Sequence, residues 1–225
     1  MYIADMHCDT ISRIYDENAK KCGPAWTLGH NGAHLDLTRM AAGNYALQNF
    51  ALFTQIKKVT DPFAHCMDLL SLFYREMEAN RGRIRPALTG TEIVKNMEEG
   101  KMSALLTIEE GAVCRGEIEN LRRFYEKGVR MMTLTWNFEN ELASPNRIDW
   151  QTGVCTPETE RGLKPRGIEF VEEMERLGMI VDVSHLGDAG IRDVLAHTRK
   201  PIAASHSNAR AVCSHPRNLT DDMIR

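Results

Sequence analysis

The sequence predicts an α/β fold. Short, nearly continuous apolar runs alternate along the chain with longer segments of helical periodicity. Glycines close several of the helical segments where C-termini fall. Imidazole and carboxylate side chains recur just beyond the ends of the apolar runs.

The first run covers residues 2–8 and ends in His7-Cys8-Asp9. Side chains alternate along a strand, so His7 and Asp9 are expected on one face and Cys8 on the other. Further strand-like runs lie near residues 46–54, 102–108, 129–135, 179–184 and 202–205. Their apolar or small residues occupy both faces, as in parallel strands covered by helices on each side. Helical patterns fill residues 62–79, 91–100, 118–127, 166–177 and 189–197, with right-handed crossovers between them. Thr91 and Glu92 read as a helix start, and Gly100, Gly128 and Gly178 as C-terminal stops. Residues 21–37 and 138–165 are rich in turn-forming residues and are expected as long loops after strands, where α/β enzymes place substrate contacts. Thr220 reads as an N-cap with Asp221 and Asp222 in the first turn. Six strands fall short of the eight of a closed barrel of about 250 residues. The sequence therefore describes either an open sheet or a (β/α)8 barrel truncated at its C-terminus.

Composition narrows the function classes. The chain has 225 residues, 43% hydrophobic and 26% charged, with a formal net charge of -3. That is the profile of a globular enzyme with a sizeable core and without a basic footprint for nucleic acid or anionic membrane. No apolar stretch reaches the roughly 18 residues that span a bilayer, and no signal peptide is expected from the N-terminal run with its Asp5. The six cysteines form no C-x-x-C pair, so reduced thiols and a cytoplasmic location are expected.

The candidate metal ligands are His7, Asp9, Glu109, His185 and His206, each just after a strand-like run. In a barrel the C-terminal ends of all strands meet at one mouth. Imidazole and carboxylate donors suit zinc or a similar ion, and five exceed what one catalytic zinc needs. They match two metals about 3.5–4 Å apart with one carboxylate shared. Glu110, beside Glu109, is expected to be a solvated neighbour. His34-Leu35-Asp36 repeats the His-x-Asp pattern but sits in a Gly/Asn-rich loop, and Asp36 reads as a helix cap instead.

With these residues in place, the chain resembles the membrane (renal-type) dipeptidases, peptidase family M19. The matching segments are Asp5-Met6-His7-Cys8-Asp9-Thr10, Gln48-Asn49-Phe50-Ala51, Ile108-Glu109-Glu110-Gly111, Leu134-Thr135-Trp136-Asn137, Asp182-Val183-Ser184-His185, Ser205-His206-Ser207-Asn208 and Arg217-Asn218-Leu219. The resemblance implies a (β/α)8 TIM barrel of metallohydrolase type, here with about six of eight strands, and residues 1–225 as a single hydrolase domain incomplete at its C-terminus. It implies two Zn2+ ions, one on His7 and Asp9, one on His185 and His206, with Glu109 bridging. It further implies hydrolysis of dipeptides by a metal-activated water, with Arg217 on the substrate carboxylate and Trp136 and Asn137 at the substrate. Homodimerisation is implied as well, with no nucleic acid or membrane partner.

Two departures from the family pattern qualify this. Trp136 stands where well-studied animal enzymes carry a His thought to stabilise the oxyanion, and an indole N–H donates a single hydrogen bond. It is expected to be a substrate wall. No Asp-Phe-Asp-Gly-like segment follows Arg217 to supply the family's acidic proton carrier. The isolated chain is therefore expected to be inactive or nearly so. The alternatives are another metal-dependent amidohydrolase or lactonase on the same scaffold, and an inactive fragment that binds metal only.

Overall fold

Strand β1 (Ile3–Cys8) runs parallel to β2 (Tyr45–Phe53), with Ile3 opposite Tyr45 and Cys8 opposite Phe50. The computed structural model describes residues 1–225 and groups them into two units. The first comprises Met1–Thr54 and Ala64–Ile108, the second Gln55–Phe63 and Glu109–Arg225.

In the first unit, α1 (Thr10–Ala19) follows β1 directly and buries Ile11 and Ile14. Residues 21–37 form the expected loop, tied down by polar contacts. Asn18 brackets Trp26, donating to its carbonyl at 2.9 Å and accepting from its N–H at 2.8 Å. The Leu28 N–H reaches the Glu76 carboxylate at 2.7 Å. Asp36 caps α2 (Leu37–Ala42) by accepting from Arg39 N at 2.8 Å, the helix-capping role expected of the second His-x-Asp. In α3 (Pro62–Ala79), Cys66, Leu69, Leu70, Phe73 and Met77 make a buried stripe at helical spacing. The Phe73 ring meets Phe50 of β2 at 6.0 Å. Strand β3 (Ile84–Pro86), absent from the sequence expectation, pairs in parallel with the start of β4 (Met102–Glu109). Three residues are too few to show a period. Helix α4 (Gly90–Glu98) starts one residue before the expected Thr91, because Thr89 and Glu92 form a reciprocal capping box. Every residue of β4 is buried, as in a strand covered on both faces.

In the second unit, a short 3-10 turn (Gly111–Cys114) leads to α5 (Ile118–Glu126), whose Leu121 and Phe124 are buried. Strand β5 (Val129–Thr133) pairs in parallel with β8 (Ile180–Asp182), Met131 opposite Ile180 and Thr133 opposite Asp182. Within the expected loop 138–165, β6 (Arg147–Ile148) and β7 (Cys155–Thr156) form an antiparallel hairpin. Helix α6 (Pro165–Leu177) starts on Pro165 and stops at Gly178, whose φ of +79° suits a left-handed cap. Helix α7 (Asp188–His197) follows β8. The sixth expected strand narrows to a parallel bridge between Asp182 and Ala203, with Val183 N–H to Ala203 O at 2.8 Å and Ala203 N–H to Val181 O at 2.9 Å. Thr220 caps the terminal α8 (Asp221–Ile224). All six cysteines are free thiols, and no helix is long and apolar enough to cross a membrane.

Candidate metal centre

In the first unit, His7 lies near the end of β1 and Asp9 at the N-cap position of α1. Asp9 makes no capping hydrogen bond. Its carboxylate turns back on His7 instead, with Oδ1 3.3 Å from His7 Nε2. That Oδ1 is buried and no hydrogen bond reaches it. A buried carboxylate oxygen without a donor is costly, and a cation there would satisfy it. The pair lines a cavity of about 510 Å3 together with Arg13, Trp26 and His34.

In the second unit, Glu109, His185 and His206 come together. His185 Nε2 is 3.0 Å from Glu109 Oε1, and His206 Nε2 is 3.6 Å from the same oxygen. The two Nε2 atoms are 2.9 Å apart. The neighbours of the rings decide where their protons sit. His185 Nδ1 lies 2.8 Å from Asn137 Oδ1, an oxygen that only accepts, so Nδ1 carries the proton. Ser205 Oγ donates to Asp182 Oδ2 at 2.6 Å, and that leaves its lone pairs to accept from His206 Nδ1 at 2.8 Å. Burial pushes the His185 imidazolium down to about 4, so this ring is neutral at pH 7. Two imidazole lone pairs and a carboxylate oxygen thus converge on one point.

Asp182 supports this arrangement from below. It is fully buried, and its Oδ1 accepts from the N–H groups of Ser184 and Ser205 at 3.1 and 3.0 Å, its Oδ2 from Thr133 Oγ1 at 2.7 Å. Sequence reading missed Asp182 and Ser205 as site residues. The available signal was a carboxylate inside the otherwise apolar run 179–184.

Glu110 corrects an expectation. It is fully buried, not solvated, with Oε1 accepting from Ala112 N–H at 3.0 Å and Asn140 Nδ2 at 2.6 Å, and Oε2 from Trp136 N–H at 3.1 Å. Burial pushes its carboxyl up to about 7. Glu110 and His185 both have positive φ, +91° and +72°, a costly conformation for residues with a side chain that is concentrated at functional sites. Trp136 packs its indole 6.2 Å from the His185 ring, and Asn137 Oδ1 is engaged by His185. The Arg217 guanidinium is half-buried and donates to Ser207 Oγ at 3.0 Å and His206 O at 3.4 Å. Burial lowers its pKa, opposed by the charges of Glu109 and Asp182. These two acceptors are neutral oxygens, which leaves the guanidinium suited to an incoming anion.

The donor set fits divalent metal. Imidazoles with the outer nitrogen fixed by a hydrogen bond, and a buried Asp9 oxygen that no hydrogen bond reaches, are what zinc-type sites present.

Comparison with known proteins agrees with this chemistry. A family model described as membrane dipeptidase (peptidase family M19) matches residues 1–225. An uncharacterized protein encoded in the pqqA 5′ region of Klebsiella pneumoniae is 32% identical over 165 residues, covering 73% of this chain and 60% of that protein. An uncharacterized dipeptidase of Schizosaccharomyces pombe is 27% identical over 214 residues, covering 85% of this chain and 48% of that protein. The chain thus spans about half to three-fifths of the length of these relatives. Among solved structures, dipeptidase AC, a metallopeptidase of family M19, superposes with a TM-score of 0.88 at 26% identity over 100% of this chain and 68% of its own. A metallopeptidase from Rhodobacter sphaeroides, solved with a phosphinate mimic of the dipeptide L-Ala-D-Ala, shares the fold with a TM-score of 0.86 at 24% identity, over 100% of this chain and 70% of its own. The fold class is the α/β, (β/α)8-type metallohydrolase class expected from the sequence.

Proposed function

Because this chain belongs to the membrane dipeptidase family, peptidase family M19, we propose that it carries the metal centre of a zinc-dependent dipeptidase. His7 and Asp9 would hold one zinc ion, and Glu109, His185 and His206 would hold the second. The observation that carries this reading is the pair of imidazole Nε2 atoms 2.9 Å apart beside Glu109, both left as lone pairs by the tautomers that Asn137 and Ser205 favour. Without a cation between them such lone pairs repel. Borderline nitrogen and oxygen donors favour zinc over magnesium or calcium, which take oxygen sets.

Bound zinc supplies an acidified water and polarises the scissile carbonyl, so no Ser or Cys nucleophile is needed. The remaining work belongs to the protein's own side chains. Asn137 and Ser205 hold the two imidazoles in the tautomer that leaves Nε2 bare. Glu110 fixes the Trp136 backbone, and the indole walls the site beside His185. The Arg217 fork receives the terminal carboxylate of a dipeptide, a planar anion it can grip with two parallel hydrogen bonds. We read residues 1–225 as belonging to one hydrolase domain, cytoplasmic and dimeric, acting on dipeptides that include those with a C-terminal D-residue.

Metal analysis of the purified chain tests the centre, with two zinc equivalents per chain expected and the absence of bound metal overturning the binuclear reading. Hydrolysis of alanyl dipeptides by the full-length protein, abolished by chelation and restored by zinc, tests the activity. Light scattering checks the dimer.

A further inference from the structure

The β6–β7 hairpin carries an apolar surface that core packing does not account for. Its turn is held rigid: Asp149 N–H bonds Val154 O at 2.9 Å, Gly153 N–H bonds Asp149 O at 2.7 Å, and Asp149 Oδ1 accepts from Gln151 N–H at 2.9 Å. On this turn Trp150 is 59% exposed and Val154 57% exposed. Turn tips favour polar residues, and an indole left in water contributes little to the core.

The exposed ring is one end of a continuous aromatic series. Trp150 stacks on Phe138 at 5.3 Å and 27°, Phe138 meets Trp136 edge-on at 5.5 Å, and Trp136 abuts His185 at 6.2 Å. The inner end of the series is therefore a ligand imidazole of the proposed centre, and the outer end is open to solvent. Lys57 Nζ sits over the Phe138 ring, 5.6 Å from its centroid, and places a positive charge beside the series. The same hairpin also approaches Arg217: Asn146, just before β6, donates from Nδ2 to the carbonyl of Pro216 at 3.1 Å.

From this placement we propose that Phe138 and Trp150, continuing from Trp136, form the side-chain subsite for the substrate's C-terminal residue and select an aromatic or large apolar group. The inference rests on the dipeptidase reading and deepens it. With the carboxylate on Arg217, the attached side chain falls toward the hairpin that carries Trp150. Offset or edge-on ring pairing gives the preference for aromatics, and burial of an apolar side chain on the indole gives the preference for size. Lys57 disfavours a cationic side chain by like-charge repulsion.

The test compares L-Ala-L-Phe, L-Ala-L-Ala and L-Ala-L-Lys on the zinc-loaded chain, by calorimetric Kd and by tryptophan fluorescence. The expected order is Ala-Phe roughly tenfold tighter than Ala-Ala, with Ala-Lys weakest, and a fluorescence change with Ala-Phe. Trp150→Ala and Phe138→Leu should bring the Ala-Phe to Ala-Ala ratio close to one. Equal affinities in the parent protein, or an equal loss on both dipeptides in the variants, would overturn the subsite while leaving the dipeptidase reading in place. Failure of all three dipeptides to bind or be hydrolysed would instead bring down that reading, and this inference with it. A ratio untouched by Trp150→Ala, together with a shift from dimer to monomer in light scattering, would assign the surface to subunit contact and overturn the proposal.

Discussion

Asp182 and His206 are joined through one hydroxyl: Ser205 Oγ donates to Asp182 Oδ2 at 2.6 Å and accepts from His206 Nδ1 at 2.8 Å. The direction of that chain decides whether His206 Nε2 is a lone pair or an N–H. In Asp182→Asn the amide oxygen keeps the two backbone donors at Ser184 and Ser205, and the NH2 faces Ser205 Oγ. The Ser205 proton then turns toward His206 Nδ1, and the ring proton moves to Nε2. We expect the 15N shifts of His206 in the metal-free variant to report this tautomer exchange. Zinc affinity should fall roughly 10- to 100-fold, as for loss of a supporting partner in other metal sites. An unchanged tautomer would sink the relay.

The adjacent glutamates separate cleanly. Glu109→Gln should remove bound zinc, since its oxygen lies within 3.0 and 3.6 Å of both imidazoles. Glu110→Ala should act on the fold, because it strands the donors of Ala112, Trp136 and Asn140 in a buried place. A loss of about 3 kcal/mol is expected, roughly 6–12 °C in Tm by thermal unfolding of the metal-free protein. A Glu110→Ala protein with parental Tm would contradict the buried network.

The same pair shows where sequence reading stops. Alternation along β4 turns Glu109 one way and Glu110 the other, and solvent is the natural destination for the second. Glu110 instead takes φ +91°, which ends the alternation and folds its carboxylate under the Trp136 backbone. A single backbone torsion is not legible in composition or period. The helices were legible because their apolar spacing is redundant: Cys66, Leu69, Leu70, Phe73 and Met77 repeat one signal. The two-residue strands β6 and β7 have no such redundancy. Glu109 and the His185 and His206 positions were legible because each closes an apolar run. Asp182 was not singled out, because its role lies in four hydrogen bonds from residues distant in sequence or on the backbone.

Stability in acid should depend on Glu173. Its carboxylate in α6 accepts from Arg122 of α5 and from Arg176, each at 2.7 Å, and these guanidinium bonds hold its pKa down to about 2. The folded state therefore binds this proton less readily than the unfolded chain, whose value is near 4.5. The stabilisation is complete above that value and is lost as pH falls toward 2. Both arginines are partly exposed, so about 1 kcal/mol is expected at pH 7. Urea midpoints of the parent and Glu173→Gln should differ at pH 7 and converge near pH 2. A gap that persists unchanged at pH 2 would refute the linkage.

Gly167 is a steric requirement of α6. A Cβ there would stand 2.1 Å from the carbonyl oxygen of Leu142, which is backbone and cannot swing away. Gly167→Ala gains helix propensity but forces α6 off that segment, for a net loss of about 1–3 kcal/mol. Thermal unfolding should show a lowered Tm, and a raised one would mean that the Leu142 segment yields.

Arg217 carries the last prediction. Its guanidinium holds only neutral partners, Ser207 Oγ and His206 O, and burial already weakens its hydration. A substrate carboxylate therefore replaces weak contacts with charge-assisted ones, worth about 1.5–3 kcal/mol. Arg217→Met should raise KM or Kd for a dipeptide roughly 10- to 150-fold. The same change should leave the C-terminally amidated dipeptide nearly unaffected, because the amide offers the fork no charge. An equal effect on acid and amide would mean that Arg217 supports the His206 loop through its carbonyl and does not read the substrate's terminus.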